Sequence, residues 1–550
     1  MLSFNKKTVN FMNKRTICNN INFLRGENNK HDIEYMLTPV REQLKLIKKY
    51  KLPTTFLLQY DALIDPRFID LLNSEKEDYI EFGAWFETPK QLIVAAGIEW
   101  RGREGYTWDW YNDVGFLIGY TPEERIKIID TYFEKFREIF GYYPECAGSW
   151  HIDAVSLKHM TDKYNISAAC ECREQVGTDG YTMWGGYEGA YYPSVYNMYA
   201  PASSIENQIN VPLFRMLGID LTYNYDHPYL SKYMGFPKWM TQQNTMEPVS
   251  KHYGGNREWV EWFLKSQQNS LYAPFSYVQV GQENGFGWEN MGEGLTMQLE
   301  VVNELRLQGK IEAEKLSDSG KWFKENFKFT PSVCALAETD WMDAGRKSYW
   351  HYSKNYRANL YVQGVYAWIR DIYLFEETYK EHHLTTPCRS KSTIFDNLPV
   401  CDGYLWSDEF VRAGIYPVKE VNDSFKPVEI SAVQALNTEN GLEIHMNSEV
   451  GDIAVNFKET ISLKASSEVK WIFRYSMPQS GNIVSMNGDG VDIWNDNIAG
   501  FDKQSIKYIH GGINYELKVL SGNISDNSTD GAIIFNPENG KLTLKPGTIK

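Results

Sequence analysis

The chain is 550 residues long, 43% hydrophobic and 23% charged, with a formal net charge of −15 and no Lys/Arg block. This interleaved composition excludes a disordered chain, and the acidic balance excludes a nucleic-acid partner, whose phosphates need concentrated basic surface. No apolar run approaches the roughly 20 residues of a membrane span, so no membrane partner is expected and the chain reads as soluble, with two or more domains at this length.

Lys6, Lys7, Lys14 and Arg15 open the chain with no apolar stretch behind them, which argues against a secretory leader, and Met12 is an equally good start. Apolar runs then recur, each ending abruptly in charged or amide side chains. Residues 21–24 precede Arg25-Gly26-Glu27, 55–58 precede Gln59-Tyr60-Asp61, and 80–84 precede Trp85-Phe86-Glu87. Likewise 167–170 precede Glu171-Cys172-Arg173-Glu174, 277–280 precede Gln282-Glu283-Asn284, and 333–337 precede Glu338-Thr339-Asp340. Buried strands that all turn polar at the C-terminal end are the pattern of a (β/α) barrel, whose active site lies at that face.

Helices are expected between these runs. Residues 38–50 place Val40, Leu44 and Ile47 on one face, and 121–140 begin with a hydroxyl cap, Pro122 and Glu124 and stop at Gly141. Two more are expected at 156–164 and 290–308. Residues 350–386, rich in Tyr, read as helical, with His382-His383 a solvated helix end rather than a metal site. From about 425 short alternating strands split by Asn, Gly and Ser turns read as a β-sandwich. The expected fold is α/β: a distorted (β/α)7-8 TIM-like barrel over 16–345, a helical/β extension packed on it over 346–424, and a C-terminal β-sandwich over 425–550.

Seven cysteines (18, 146, 170, 172, 334, 388 and 401) are odd in number and scattered, which suits reduced thiols and a cytoplasmic location better than a disulfide framework. Cys170 and Cys172 fall on one strand face and make no metal motif. Aromatic residues reach 15%, with 17 Trp and 36 Tyr, many of them in loops 106–111 and 184–192. Aromatic faces stack on pyranose rings while nearby amides and carboxylates take the hydroxyls, so these loops fit a carbohydrate cleft; plain loop packing is the alternative.

The order of pieces resembles a known superfamily. The helix and strand over 46–58, Tyr79-Ile80-Glu81-Phe82-Gly83, the Thr121-Pro122-Glu123-Glu124 helix, Phe140-Gly141-Tyr142-Tyr143-Pro144, Ser149-Trp150-His151-Ile152-Asp153 and Lys163-Tyr164-Asn165-Ile166 are similar to the polysaccharide deacetylase (NodB-like) segment and its glycoside hydrolase relatives of the distorted (β/α)7 barrel. The resemblance covers about 16–180 and is only architectural beyond. It implies a metal held by an Asp pair after the first strand and a His-x3-His pair after the third. Here the first strand ends Arg25-Gly26-Glu27 and the third Trp85-Phe86-Glu87-Thr88-Pro89, with no histidine. The deacetylase ligands are missing, so no metal and no cofactor is expected. A site built from His151, Asp153 and Glu87 or Asp61 is the one metal reading left.

In place of the metal set stand carboxylates, and a carboxylate pair is the usual means of cleaving a glycosidic bond. Glu283 is the first candidate, flanked by Gln282 and Asn284, whose amides suit sugar hydroxyls; a loop cap is its structural alternative. Asp153 and Glu171 are the candidate partners. The resemblance puts Asp153 at a strand end that is catalytic in some hydrolase relatives, yet it also precedes a helix as an N-cap would. Glu171 and Glu174 flank Arg173, an arrangement that keeps a carboxylate ionised or simply makes an ion pair. Glu338 and Asp340, followed by Arg346, share that ambiguity. Arg25, Glu27, Asp61, Glu87 and His151 complete the expected mouth, and Trp85, Trp150 and Trp288 are candidate sugar-stacking walls. The expected activity is a glycoside hydrolase acting on an oligosaccharide or glycoside. The rivals are a metal-dependent carbohydrate deacetylase with an atypical site and a catalytically inactive sugar-binding barrel.

Overall fold

A computed structural model describes residues 15–28, 30–178, 180–216, 221–222, 245–269, 274–408, 410–438, 441–476, 482–484, 490–492, 498–529 and 531–549. Lys6, Lys7, Met12 and Lys14 lie outside the described residues. The first four apolar runs become parallel strands β1 (Arg15–Leu24), β2 (Thr54–Leu58), β3 (Ile80–Trp85) and β5 (Ala168–Glu171), and a short strand that the sequence did not single out, β4 (Cys146–Gly148), lies between β3 and β5. Strand Phe275–Val280 lies parallel to β1 on one side, and Leu213–Arg215 parallel to β5 on the other. Across the seam between these two strands the rings of Phe214 and Tyr277 stand 5.0 Å apart, and Ala190–Tyr191 adds an antiparallel strand beyond Leu213–Arg215. The fold is thus mixed α/β, with a nearly closed, barrel-like parallel sheet.

Strand alternation fills the interior in layers. Phe23 stacks on Trp85 at 4.2 Å, and Leu57, Trp85 and Cys170 crowd the space beside Gly148. The opposite, N-terminal end is plugged by helix Leu316–Asn326. Asn19 Nδ2 donates to Ser319 Oγ at 2.9 Å, Leu316 N donates to Thr55 Oγ1 at 2.9 Å, and Ser317 N donates to the carboxylate of Glu81. A partly buried carboxylate at the first turn of a helix is favoured by the backbone N–H groups there.

Helix Pro122–Phe140 is capped as its sequence requires: Thr121 and Glu124 exchange capping-box bonds, and Gly141 ends it at φ 81°. Helix Ile33–Tyr50 starts earlier than the expected 38, because the Asp32 side chain caps Tyr35 N and Pro39 is carried inside the helix. Helices Ala154–Tyr164 and Trp288–Leu307 fall where 156–164 and 290–308 were expected.

Two expectations are corrected. Residues 350–386 are not helical: Arg346–Tyr352, Tyr356–Gln363 and Tyr366–Leu374 form an antiparallel run. Their side chains are buried on both faces, so the alternation that signals a strand is absent. Val333–Ala337 is not a barrel strand either, since it pairs antiparallel with Arg346–Tyr352 in the same sheet. That sheet continues through Gly414–Val421, Val469–Arg474 and Ala532–Asn536. A further antiparallel sheet carries Ile430–Thr438, Gly441–Ser448, Gly451–Phe457, Ile513–Ser521 and Lys541–Thr548. Side chains from both, among them Leu336, Tyr349, Ile444, Phe473, Leu517 and Leu544, share one apolar cluster.

Strand Thr393–Asp396 lies parallel with Tyr181–Trp184 in a small separate sheet. Among the described residues no helix is long and apolar enough to cross a membrane. All seven cysteines are buried and unpaired.

Candidate active site at the barrel mouth

The alternation that places Phe23, Trp85 and Gly148 inside the barrel places Arg25, Glu87 and Trp150, each two residues further on, at its C-terminal mouth. There one guanidinium is shared by two carboxylates. Arg25 Nε and Nη2 donate to the two oxygens of Glu87 at 2.9 and 2.8 Å, and Arg25 Nη1 donates to Glu283 Oε1 at 2.9 Å. Trp150 Nε1 adds a third donor to Glu87 at 2.8 Å, and the Trp108 ring lies 4.4 Å over the guanidinium. Side-chain exposure is 1% for Glu87 and 8% for Glu283, so these charges interact with little water between them.

The backbone around this cluster is bolted down. Asn284 Oδ1 accepts from Arg25 N at 2.9 Å and its Nδ2 donates to Arg25 O at 2.8 Å. Gln43 Nε2 donates to Gln282 O at 3.0 Å, and Asn22 Oδ1 accepts from Gln282 N at 3.2 Å. On the other side Asp61 accepts from Glu27 N at 2.9 Å and from Ala62 N at 2.8 Å. Burial pushes the Asp61 carboxyl up to about 6 against these N–H bonds. Gly26 is required here, because a Cβ would come within 2.6 Å of the Ala62 nitrogen. Gly281, at φ 104°, turns the chain off its strand with a would-be Cβ 2.1 Å from Ile21 O. Glu27 itself points to solvent and contributes only its amide.

Beside the cluster lies a small cleft lined by Phe23, Trp150, Met216, Met246, Gln279 and Gln282. Glu247 also lines it. Glu247, Gln279 and Trp108 were not singled out from the sequence. Gln279 carried a signal, being a polar residue at an inward position of an apolar strand. Glu247 follows no apolar run and carried none.

Several expected site residues lie elsewhere. Asp153 is fully buried, caps helix Ala154–Tyr164 through Ser156 N, accepts from Ser156 Oγ at 2.6 Å and pairs with the fully buried Arg125 at 3.0 Å. These contacts realise the N-cap that its position in the sequence offers. Glu171 stands on the outward face of β5, opposite to Cys170, where it meets Arg215 at 3.2 Å and Tyr191 OH at 3.2 Å. Burial pushes its carboxyl up to about 8. Arg173 pairs with Glu188, and Glu174 takes Gly186 N and the buried Arg357.

The remaining expected residues sort in the same way. Glu338 is half exposed and held by Lys347 and Tyr349, while Asp340 closes the turn to Arg346 N, both in the connection between the antiparallel strands Val333–Ala337 and Arg346–Tyr352 and not at a barrel strand end. Trp85 lies fully buried beneath the mouth. Trp288 packs outside the barrel with the cluster around Trp259 and Leu295.

A divalent ion of the deacetylase type does not fit these side chains. His151 Nε2 is bonded to Asn112 Oδ1 at 3.0 Å, its ring is caged by Phe116, Tyr181 and Phe395, and burial lowers it to about 3. Asp153 belongs to Arg125, and Glu87 belongs to Arg25 and Trp150. Among the described residues no group of three His, Cys, Asp or Glu side chains is placed to hold a metal ion.

Fold and mouth together define a barrel-like α/β protein with an acidic, aromatic site at the strand C-termini. No family model and no curated protein matches this chain. Two solved structures are similar to it. One, provisionally named a glycoside hydrolase/deacetylase, from Parabacteroides distasonis, shares 13% identity and a TM-score of 0.49 over 70% of this chain and 90% of its own. The other, provisionally named a polysaccharide deacetylase, from Mycobacterium smegmatis, shares 11% identity and a TM-score of 0.35 over 58% of this chain and 93% of its own.

Proposed function

We propose that the chain is a glycoside hydrolase that cleaves a glycosidic bond with carboxylates at the barrel mouth. The observation that supports this reading is the Arg25 guanidinium shared between Glu87 and Glu283 at the edge of an aromatic cleft. Glu87, with three donors on its two oxygens, fixes the guanidinium in place. The guanidinium in turn orients Glu283, which acts as the base or nucleophile. Glu247, in the cleft wall, supplies the proton to the departing sugar oxygen. Glu283 then acts at the anomeric carbon, directly or by taking a proton from water. The barrel part forms the catalytic unit and the two antiparallel sheets a sandwich appended to it.

The test is hydrolysis of a panel of neutral gluco-, manno-, xylo- and chito-oligosaccharides, read as new reducing ends. Glu283→Gln and Glu247→Gln each lower turnover by about 10²–10⁴-fold while leaving sugar binding in place. Wild-type turnover persists after dialysis against EDTA. Full activity in Glu283→Gln, or release of acetate in place of reducing ends, overturns the proposal.

A further inference from the structure

Four lysines on the solvent side of the C-terminal antiparallel sheet stand in two opposed pairs. Strand Lys541–Thr548 runs between strands Ile461–Lys464 and Ile513–Ser521, antiparallel to both. Lys541 is the direct cross-strand partner of Lys464, and Lys545 that of Lys518. Leu463, Leu517, Leu542 and Leu544 are buried in the apolar cluster beneath, so alternation turns the four lysines to the other side, where each is exposed. None of the four makes an ion pair with a described residue, whereas Lys507, on the neighbouring strand Ser505–His510, is paired with Asp502 at 3.0 Å. Among the described residues of the three strands Glu516 is the acid on this side, and its cross-strand partner is Lys507.

Like charges directly opposite one another on a β-pair repel, because their Cβ atoms lie only about 5 Å apart. Two such pairs within three adjacent strands weaken the free protein, in a chain whose net charge of −15 provides acids in excess. Packing does not require them, since the buried half of each strand supplies the core contacts. An anion set between two opposed ammonium groups replaces their repulsion with charge-assisted hydrogen bonds. Lys541 and Lys545 are four residues apart on one strand, about 13 Å, so one small anion cannot serve both pairs and an extended chain with repeated negative charges can. Ser462 stands opposite Thr543 between the pairs, and the solvent side of these three strands carries no aromatic ring. Single-stranded nucleic acids are held by aromatic stacking platforms, so hydroxyls and ammonium groups alone suit a polyhydroxylated polyanion better.

We propose that Lys464, Lys541, Lys545 and Lys518 form a docking stripe for an acidic polysaccharide, a sugar chain bearing carboxylate or sulfate groups. The stripe belongs to the appended sheet and not to the barrel mouth, so it anchors the protein to a charged carbohydrate whatever bond the mouth cleaves. Three separate strands contribute to it, which is why the sequence shows no basic block.

The experiment is calorimetric binding of the full chain to polygalacturonate and to dextran sulfate, each against its neutral counterpart, fully methyl-esterified polygalacturonate and dextran. Wild type binds the acidic member of at least one pair and neither neutral chain, and the tighter of the two acidic polymers identifies the anionic group. Its affinity falls about 10- to 50-fold between 50 and 200 mM salt, as expected for up to four contacts that each release a counterion. The double variant Lys541→Gln/Lys545→Gln binds about tenfold more weakly or worse, Lys541→Arg/Lys545→Arg retains binding, and Lys507→Gln, which removes a charge from the same sheet outside the stripe, binds as wild type does. A wild type that binds neither acidic polymer, a glutamine double variant that binds as tightly as wild type, or an equal loss in Lys507→Gln overturns the stripe. Tighter binding to single-stranded DNA or to phosphatidylserine vesicles than to either polysaccharide overturns it as well. Turnover of small neutral oligosaccharides is the same in the glutamine double variant as in wild type, so failure of the stripe and failure of the hydrolase reading are measured separately.

Discussion

Replacing Arg25 with methionine isolates what the shared guanidinium contributes. The substitution keeps much of the apolar stem and deletes three charge-assisted hydrogen bonds, stranding Glu87 and Glu283 at 1% and 8% exposure. Removing one partner of a buried ion pair destabilises by about 3–5 kcal/mol. A second estimate sets a ceiling for each carboxylate. The folded variant can always take up a proton, and protonating a glutamate whose unfolded value is about 4.3 costs about 4 kcal/mol at pH 7 and about 1 kcal/mol at pH 5.

The sign follows directly. In the variant the carboxyl pKa is raised above its unfolded value, so stability is retained at low pH and lost as pH rises. The deficit of Arg25→Met relative to wild type is therefore about 4 kcal/mol at pH 7 and shrinks to roughly 1–2 kcal/mol at pH 5. Urea unfolding of both proteins at the two pH values and fixed ionic strength measures it. Arg25→Lys restores the charge without the two-sided fork and recovers only part of the loss. A deficit below about 1 kcal/mol at pH 7, or one that does not change with pH, refutes the argument.

Two further outcomes follow from residues that the mouth does not use. Asp153→Ala removes a helix cap and leaves Arg125 as an uncompensated buried charge, so it destabilises by about 3–5 kcal/mol while the folded fraction keeps wild-type specific activity; a specific loss of turnover without loss of stability would contradict the structural role. Glu171 is raised from 4.5 to about 8, so its protonated form contributes stability at low pH that is lost as pH rises between those values, and Glu171→Gln flattens wild-type unfolding curves over that window by up to about 1.4 kcal/mol per pH unit; an unchanged slope counts against the assignment.

The barrel was legible wherever one face of a strand met the core and its C-terminal end met the mouth. Five of the six apolar runs that end in polar residues lie in the parallel sheet, because that polarity change is itself the signature of a strand leaving a core. The sixth, Val333–Ala337, has the same texture and belongs to an antiparallel sheet. A short apolar run does not state the direction of its neighbours, which is decided by whether a helix or a tight turn follows. Here Asp340 closes a turn to Arg346, too short for a parallel crossover. The Tyr-rich strands after it were hidden for a different reason: buried on both faces, they carry neither the period of a strand nor that of a helix.

At the site, the decisive quantity was strand parity, which depends on knowing which residue of each strand faces inward. Glu87 follows Trp85 by two, so it inherits the inward face and meets Arg25. Glu171 follows Cys170 by one, so it turns away and meets Arg215. Chemically the two glutamates look alike in sequence, each closing an apolar run beside other polar residues. One residue of register separates a group that shares its charge with Glu283 from one that braces the outer wall. The inward residue of β3 is fixed by the stacking of Trp85 on Phe23, and that of β5 by the contact of Cys170 with the space beside Gly148. Both contacts join residues far apart in the chain, and composition and spacing do not encode them. Asp153 is the complementary case, since its N-cap position was visible in Asp153-Ala154-Val155-Ser156, while the buried Arg125 that makes this its sole task comes from a helix some thirty residues earlier.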